Sequence, residues 1–497
     1  MKPTLARVLI KNTFWNFFTQ VWLILIFMVT TPIVVHNLGD EAYGILSLIM
    51  ATVGYFGFLD FGISQATLKF ISEHLVRNER SQVHRIISTS VFFSLIVGLL
   101  GAVIIIFLAP CLIEFIFKIP PVLRNETKIS FYIFSGWLIA SLLQGALQTV
   151  PAALQRFDLI NLINGIACSL QGLVSAWLVL SGFHLKEVVA LYLIIRVLSA
   201  SAFFVILFKL LPDITLRPMW HGPTFMKLFS FGKWVLVSYV IGPLMVNLDR
   251  FLIGSFISVA AVTYYAIPYA IITKLGIIPG SAAPVLFPTF SERGAFSDNS
   301  FLLGLFRRSL RLLNLSILPF AVILFIFADE ILRIWMGASF ADKSVAVARI
   351  LSFAVVVNGL AIIPYTLVQG LGRSDITAKF HLFELPAYLL FCLFLIPSLG
   401  INGAAIAWTG RVALDAALLF WYVRRRIGLR IRKHFCGEIK WGFLLGAVWT
   451  LLMLGIKFST QRLLVQGALI FLSFGLYASV VWLYILDDRD RMHFKCA

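Results

Sequence analysis

Arg196, Lys274 and Arg411 each stand in the middle of an apolar run, where an ionised side chain costs about 2.5–3.5 kcal/mol on membrane-insertion scales unless it meets water or a partner. Against lipid the three would together cost about 8–10 kcal/mol, so most of them are expected to line a solvated cleft. A guanidinium there would suit an anion, because it holds phosphate oxygens bidentately. Each cation also has a plainer arrangement open to it. Asp415 follows Arg411 by four residues and can pair with it within one helix, and Lys274 can snorkel toward the surface. Arg250, beside Asp249, lies within two turns of the end of its run. The acids Asp60, Asp249, Glu384 and Asp415 either carry a coupling proton or cation or serve as counter-ions to the arginines. Asn12, Asn16 and Gln20 recur every four residues, as do Gln144 and Gln148, so each set occupies one helix face. Such stripes bind a polar ligand or tie helices together. The candidate ligand-binding set is therefore Arg196, Arg411, Lys274, Asn16, Gln20 and Gln148.

The runs that must position these residues fix the class of the protein. Of 497 residues, 60% are hydrophobic and 13% charged, and the mean hydropathy is +0.94; soluble chains are about 25% charged. A span takes about 20 residues, and apolar runs bounded by charge, Gly or Pro predict helices near 13–35, 42–64, 86–112, 128–150, 158–181, 187–210, 231–254, 262–285, 309–328, 345–368, 376–397, 402–423, 439–457 and 463–486. The expected fold is thus all-α and polytopic, with about 14 transmembrane helices and no room for a soluble catalytic domain. Pro268, Pro279, Pro284 and Pro288 should bend or break the eighth helix.

The net charge of +18 would suggest nucleic acid in a soluble chain, but its distribution gives another reading. Of the 41 Lys and Arg residues, 28 fall in the termini and even-numbered connections and 8 in the odd-numbered ones, which predicts that both termini are cytoplasmic. No nucleic-acid partner is expected. The first apolar run ends without a small-residue cleavage site, so it should stay as a helix. The five cysteines form no C-x-x-C pair, which supports neither a metal site nor a disulfide framework. No phosphate-binding loop, H-E-x-x-H or G-x-S-x-G is present, so neither an enzyme nor a cofactor is expected.

An internal repeat runs through the chain at an offset of about 214–221 residues. IIIFLAPCLIEFIF (104–117) answers LFIFADEILRIWMG (324–337), TVPAALQRFD (149–158) answers IPYTLVQGLGRSD (363–375), and VALYLIIRVLSASAFF (189–204) answers AAIAWTGRVALDAALL (404–419). Six helices separate the copies, so the repeats are parallel, and Arg196 aligns with Arg411. Two six-helix lobes around a central cleft are expected, over 1–212 and 213–433, with an appended helix pair over 434–497.

The stretches LIKNTFWNFFTQVWLILIFMVTTPIVVHNLGDEAYGILSLI (9–49), GYFGFLDFGISQATLKFISEH (54–74), NLDRFLIGSFISVAAVTYYAIPYA (247–270), VQGLGRSD (368–375) and LGINGAAIAW (399–408) resemble the Wzx-type polysaccharide and O-antigen flippases of the multidrug/oligosaccharidyl-lipid/polysaccharide exporter superfamily. The resemblance covers the first twelve helices. It implies alternating access and transfer of an undecaprenyl-pyrophosphate-linked oligosaccharide across the bacterial cytoplasmic membrane during surface polysaccharide (lipopolysaccharide) synthesis. The implied partners are that lipid, the surrounding membrane, H+ or Na+ as a coupling ion, and glycan-assembly proteins. The appended pair departs from twelve-helix members and looks like the extra helices of peptidoglycan-precursor flippases.

Two rivals follow from the same residues. A cation-coupled multidrug exporter of the same fold would be expected to have an acidic interior, whereas Arg196, Lys274 and Arg411 outnumber Glu384 and Asp415. A membrane-embedded polysaccharide polymerase or ligase generally needs a long outer loop, and none is predicted.

Overall fold

The computed structural model describes residues 5–212, 220–295, 299–427, 431–459 and 462–485, and all the secondary structure among them is helical. The chain divides into two compact units, Met1–Ala266 and Ile267–Ala497.

The first unit contains α1 (Leu5–Leu38), α2 (Asp40–Phe56), α3 (Ile63–Val76), α4 (Arg80–Cys111), α5 (Pro121–Ala153), α6 (Phe157–Leu180), α7 (Leu185–Leu210), α8 (Gly222–Phe256) and the beginning of α9 (Val259–Thr273). Local signals account for the boundaries. Pro121 opens α5, where a missing N–H costs nothing. At the start of α7 the Glu187 carboxylate accepts from the His184 backbone N–H at 3.0 Å, which supplies an acceptor to an otherwise unpaired donor. Residues 42–64, expected as one helix, are broken instead: a 3-10 turn, Gly57–Asp60, leads into Phe61 and Gly62, both left-handed at φ 51° and 70°, and no helix continues through two such residues. Ile63, Phe70, Ile87, Leu147, Phe203 and Leu207 bring α3, α4, α5 and α7 together in one buried cluster. Because α8 packs on α2, α3 and α4, it belongs to this unit by contact, and the compact unit extends past the boundary at 212 expected from the repeat.

The second unit contains α10 (Ile277–Ala295), α11 (Asn299–Ile326), α12 (Ala328–Met336), α13 (Ala338–Gly370), α14 (Ser374–Leu399), α15 (Ile401–Ile427), α16 (Ile431–Ser459) and α17 (Leu463–Val480). The expected break in the eighth span is present: a 3-10 turn, Lys274–Gly276, interrupts it between α9 and α10. Pro279 explains the position, since it has no N–H to offer the carbonyl of Leu275 four residues back. Pro284 and Pro288 are accommodated within α10. Phe290, Phe306, Leu310, Ile363, Leu367 and Val423 form the core where α10, α11, α13 and α15 meet.

Each of the fourteen expected segments overlaps helix, the second broken at 57–62 and the eighth at 274–276. Among the described residues, twelve helical stretches are long and apolar enough to cross a membrane, and Leu444–Ser459 is a shorter apolar helix. Their outer surfaces suit lipid: Phe107 on α4, Trp177 on α6, Phe394 on α14 and Phe471 on α17 are all exposed, an arrangement that water would not tolerate across so many faces. Arg307 and Arg308, just before the expected run 309–328, and Arg311, just inside it, count with the even-numbered connections in the sequence; all three lie on α11, which starts ten residues before its apolar run, and Arg311 is buried.

Candidate functional site

The repeat is visible in the local structure at both copies. Gln155 (φ 56°) and Gly372 (φ 73°) occupy matched left-handed turns, and each is followed by a forked Arg-x-Asp pair. Arg156 Nε lies 3.0 Å from Asp158 Oδ1 at the start of α6, and Arg373 Nε lies 2.9 Å from Asp375 Oδ1 at the start of α14. In both copies the helix before the turn, α5 or α13, packs against the helix that carries the aligned arginine, α7 or α15.

In the first unit, Arg196 projects from α7 toward α5. Its guanidinium carbon lies 4.3 Å from the centroid of the Trp137 ring, and its Nη1 donates to Gln144 Oε1 at 3.1 Å. The Gln144 amide in turn donates to Asn164 Oδ1 on α6 at 3.1 Å. Three helices are thus joined by an Arg–Gln–Asn chain with a cation–π contact at its head. Gln144 is buried while Arg196 is half-buried, and the buried Nε of Arg196 has no hydrogen-bond acceptor among the described residues. No ion pair to Arg196 occurs among the described residues. What this arrangement offers chemically is a fixed cation with a free donor.

The matched arginine of the second unit has different surroundings. Arg411 lies over the Tyr388 and Trp408 rings, 5.7 and 5.8 Å from their centroids. The within-helix pair with Asp415 is not formed among the described residues. Asp415 groups instead with His381 and Glu384 of α14, one ligand atom from each lying within 4.8 Å of the others. Glu384 is fully buried, and neither carboxylate oxygen has a hydrogen-bond donor among the described residues. His381 also stacks on Tyr365 of α13, with ring centroids 6.3 Å apart. A histidine and two carboxylates can hold a cation or a proton, and two carboxylates this close favour sharing one.

Not all of the candidates gather at these two places. Lys274 is half-buried in the 3-10 turn between α9 and α10, and Gln148 is half-buried one turn beyond Gln144. Gln20 is exposed, and the side chains of Asn12 and Asn16 lie outside the described residues. Asp60 accepts from both the hydroxyl and the backbone N–H of Ser64, so it caps the start of α3. Asp249 is fully buried, bonded to the Tyr265 hydroxyl of α9 and to the Arg250 N–H, and fastens α8 to α9. Sequence reading did not single out Trp137, Asn164 or His381. The i, i+3 spacing of His381 and Glu384 was the one available signal, and it is common by chance.

Residues 37–345 match the family described as "Polysaccharide biosynthesis protein". The chain is 30% identical over 424 residues, 84% of its length, to a Shigella flexneri protein named "Putative O-antigen transporter", and covers 98% of it. Among solved structures it resembles the lipid II flippase MurJ in an inward closed conformation, with a TM-score of 0.75 at 14% identity, over 95% of this chain and 99% of that one. A multidrug resistance MATE family transporter of the MOP superfamily, inward-facing, superposes with a TM-score of 0.71 at 14% identity, over 84% of this chain and 96% of that one; likeness at this identity concerns the fold.

Proposed function

The chain belongs to the polysaccharide biosynthesis family of O-antigen transporters, multi-pass membrane transporters and not enzymes, and from that premise we propose that it flips a polyprenyl-pyrophosphate-linked oligosaccharide across the cytoplasmic membrane by alternating access. The supporting observation is the fixed cation on α7, Arg196, which is joined to a neutral amide and an aromatic face, with no carboxylate pairing it among the described residues. A pyrophosphate carries charge that hydrocarbon rejects, while its polyprenyl tail prefers lipid, so the protein need shelter only the polar headgroup. In the first unit Arg196 and Gln148 are assigned to the anionic headgroup, and in the second unit Arg411 and Lys274 each carry the same assignment on their own. The His381, Glu384 and Asp415 group is assigned to a coupling proton or monovalent cation, since its fully buried carboxylate is the kind of intramembrane acid that relays ions. Both termini are assigned to the cytoplasm.

The test is genetic and chemical. Deleting the gene should trap a lipid-linked oligosaccharide on the cytoplasmic leaflet, and the wild-type chain should release it. Arg196→Ala should restore release poorly although the protein inserts at normal abundance. Surface polysaccharide that persists without any such intermediate would refute the assignment.

A further inference from the structure

The repeat places two arginines at equivalent positions and gives them opposite company. In the second unit the acids Glu384 of α14 and Asp415 of α15, the helix that carries Arg411, group with His381. Arg196 is held by amides instead: Gln144 Oε1 accepts from its Nη1 at 3.1 Å, and Asn164 Oδ1 fixes the Gln144 amide at 3.1 Å. Gln144 is 3% exposed, so its Arg196 bond is made away from water, where an amide and a carboxylate differ most in their effect on a neighbouring cation. A glutamate has the same length and acceptor geometry and would bind the guanidinium more tightly. It would also cancel the charge.

We propose that Gln144 is the positioning residue that makes the first unit select anions: it orients Arg196 through a neutral bond, with Asn164 holding the amide, and leaves the full positive charge and the Nε–H of Arg196 for a phosphate group. This deepens, and rests on, the assignment of Arg196 to the headgroup. The specificity lies in the absence of charge at position 144.

The probes are a polyprenyl pyrophosphate and the uncharged polyprenol of the same chain length, added to the full chain in detergent or nanodiscs. Binding is read by tryptophan fluorescence, since Trp137 stacks on Arg196. The wild-type protein should prefer the pyrophosphate, with an affinity that falls as salt rises. Arg196→Ala and Gln144→Glu should both lose about tenfold or more of that preference, and both should bind polyprenol as the wild type does. Gln144→Met, which leaves Arg196 charged but loosely held, should keep the salt dependence and lose only part of the affinity. Asn164→Asp, which accepts the same Gln144 bond, should lower the preference less than Gln144→Glu, and it provides the test if Gln144→Glu does not fold. Wild-type preference in Gln144→Glu, or in Asn164→Asp in its place, alongside a lost preference in Arg196→Ala, would overturn the role of Gln144 and leave Arg196 as a headgroup ligand. Wild-type preference in Arg196→Ala would overturn both.

Discussion

Gly44 shows how much can depend on a missing side chain. A Cβ there would overlap the Val259 carbonyl, so α2 and the start of α9 touch through backbone. Gly44→Ala should force them apart at a cost of about 3 kcal/mol, seen as a marked fall in the thermal unfolding midpoint in detergent. Lys457 is a subtler case: its ammonium lies 2.7 Å from the Ile326 carbonyl and 2.9 Å from a Glu330 oxygen, with both side chains about one-fifth exposed. Lys457→Met keeps the apolar stem but leaves Glu330 and the end of α11 without that donor. It should destabilise by about 1–2 kcal/mol, the range of one charged hydrogen bond discounted for solvent. Arg156 and Arg373, by contrast, form well-shaped pairs in exposed turns, where such pairs contribute little. Arg373→Ala should shift the midpoint hardly at all.

The helices explain why some positions were legible in the sequence and others were not. Proline at 279 and the interruption at Lys274–Gly276 follow from a missing donor, so the break was predictable from one residue type. Pro279→Ala restores that donor toward Leu275; it should raise helical continuity and slow transport, measured as the rate of headgroup protection in proteoliposomes. A wild-type rate would show that the bend is only architecture. The break between α2 and α3 was not legible although Gly57 and Gly62 flank it, because glycine is common inside membrane helices and Phe61, the first left-handed residue, is of a type that rarely adopts that conformation. Arg307 and Arg308 fall outside the expected helix for a related reason: α11 extends beyond its apolar run. The appended helices α16 and α17 have no repeat counterpart, yet they are fastened to α11 by Tyr477 donating to the Leu315 carbonyl at 2.9 Å and Trp449 donating to the Pro319 carbonyl at 3.3 Å.

For the molecule in its membrane, the uneven distribution of Lys and Arg makes a prediction that no single helix can. On a background without the five native cysteines, Arg77→Cys and Arg424→Cys should react only with an impermeant thiol reagent applied from the cytoplasmic side, and Lys186→Cys only from the outer side. All three positions are exposed. Labelling in the reverse sense would invert the proposed orientation, and with it the direction in which the headgroup is carried.

Composition and periodic apolar runs by themselves determined that this is an all-helical polytopic membrane protein, because these properties are local; the repeat, copied along the chain, gave the expectation of two matched halves, and the resemblance to the flippases pointed to transport. They also located both arginines near mid-span. Only the tertiary structure decided what each arginine meets, since Gln144 lies 52 residues from Arg196 and His381 and Glu384 reach Asp415 from a different helix. Side-chain neighbours across helices depend on rotation and packing, which no spacing along one chain encodes. The repeat predicts equivalent positions, but the charge at each is set by residues that the repeat does not preserve.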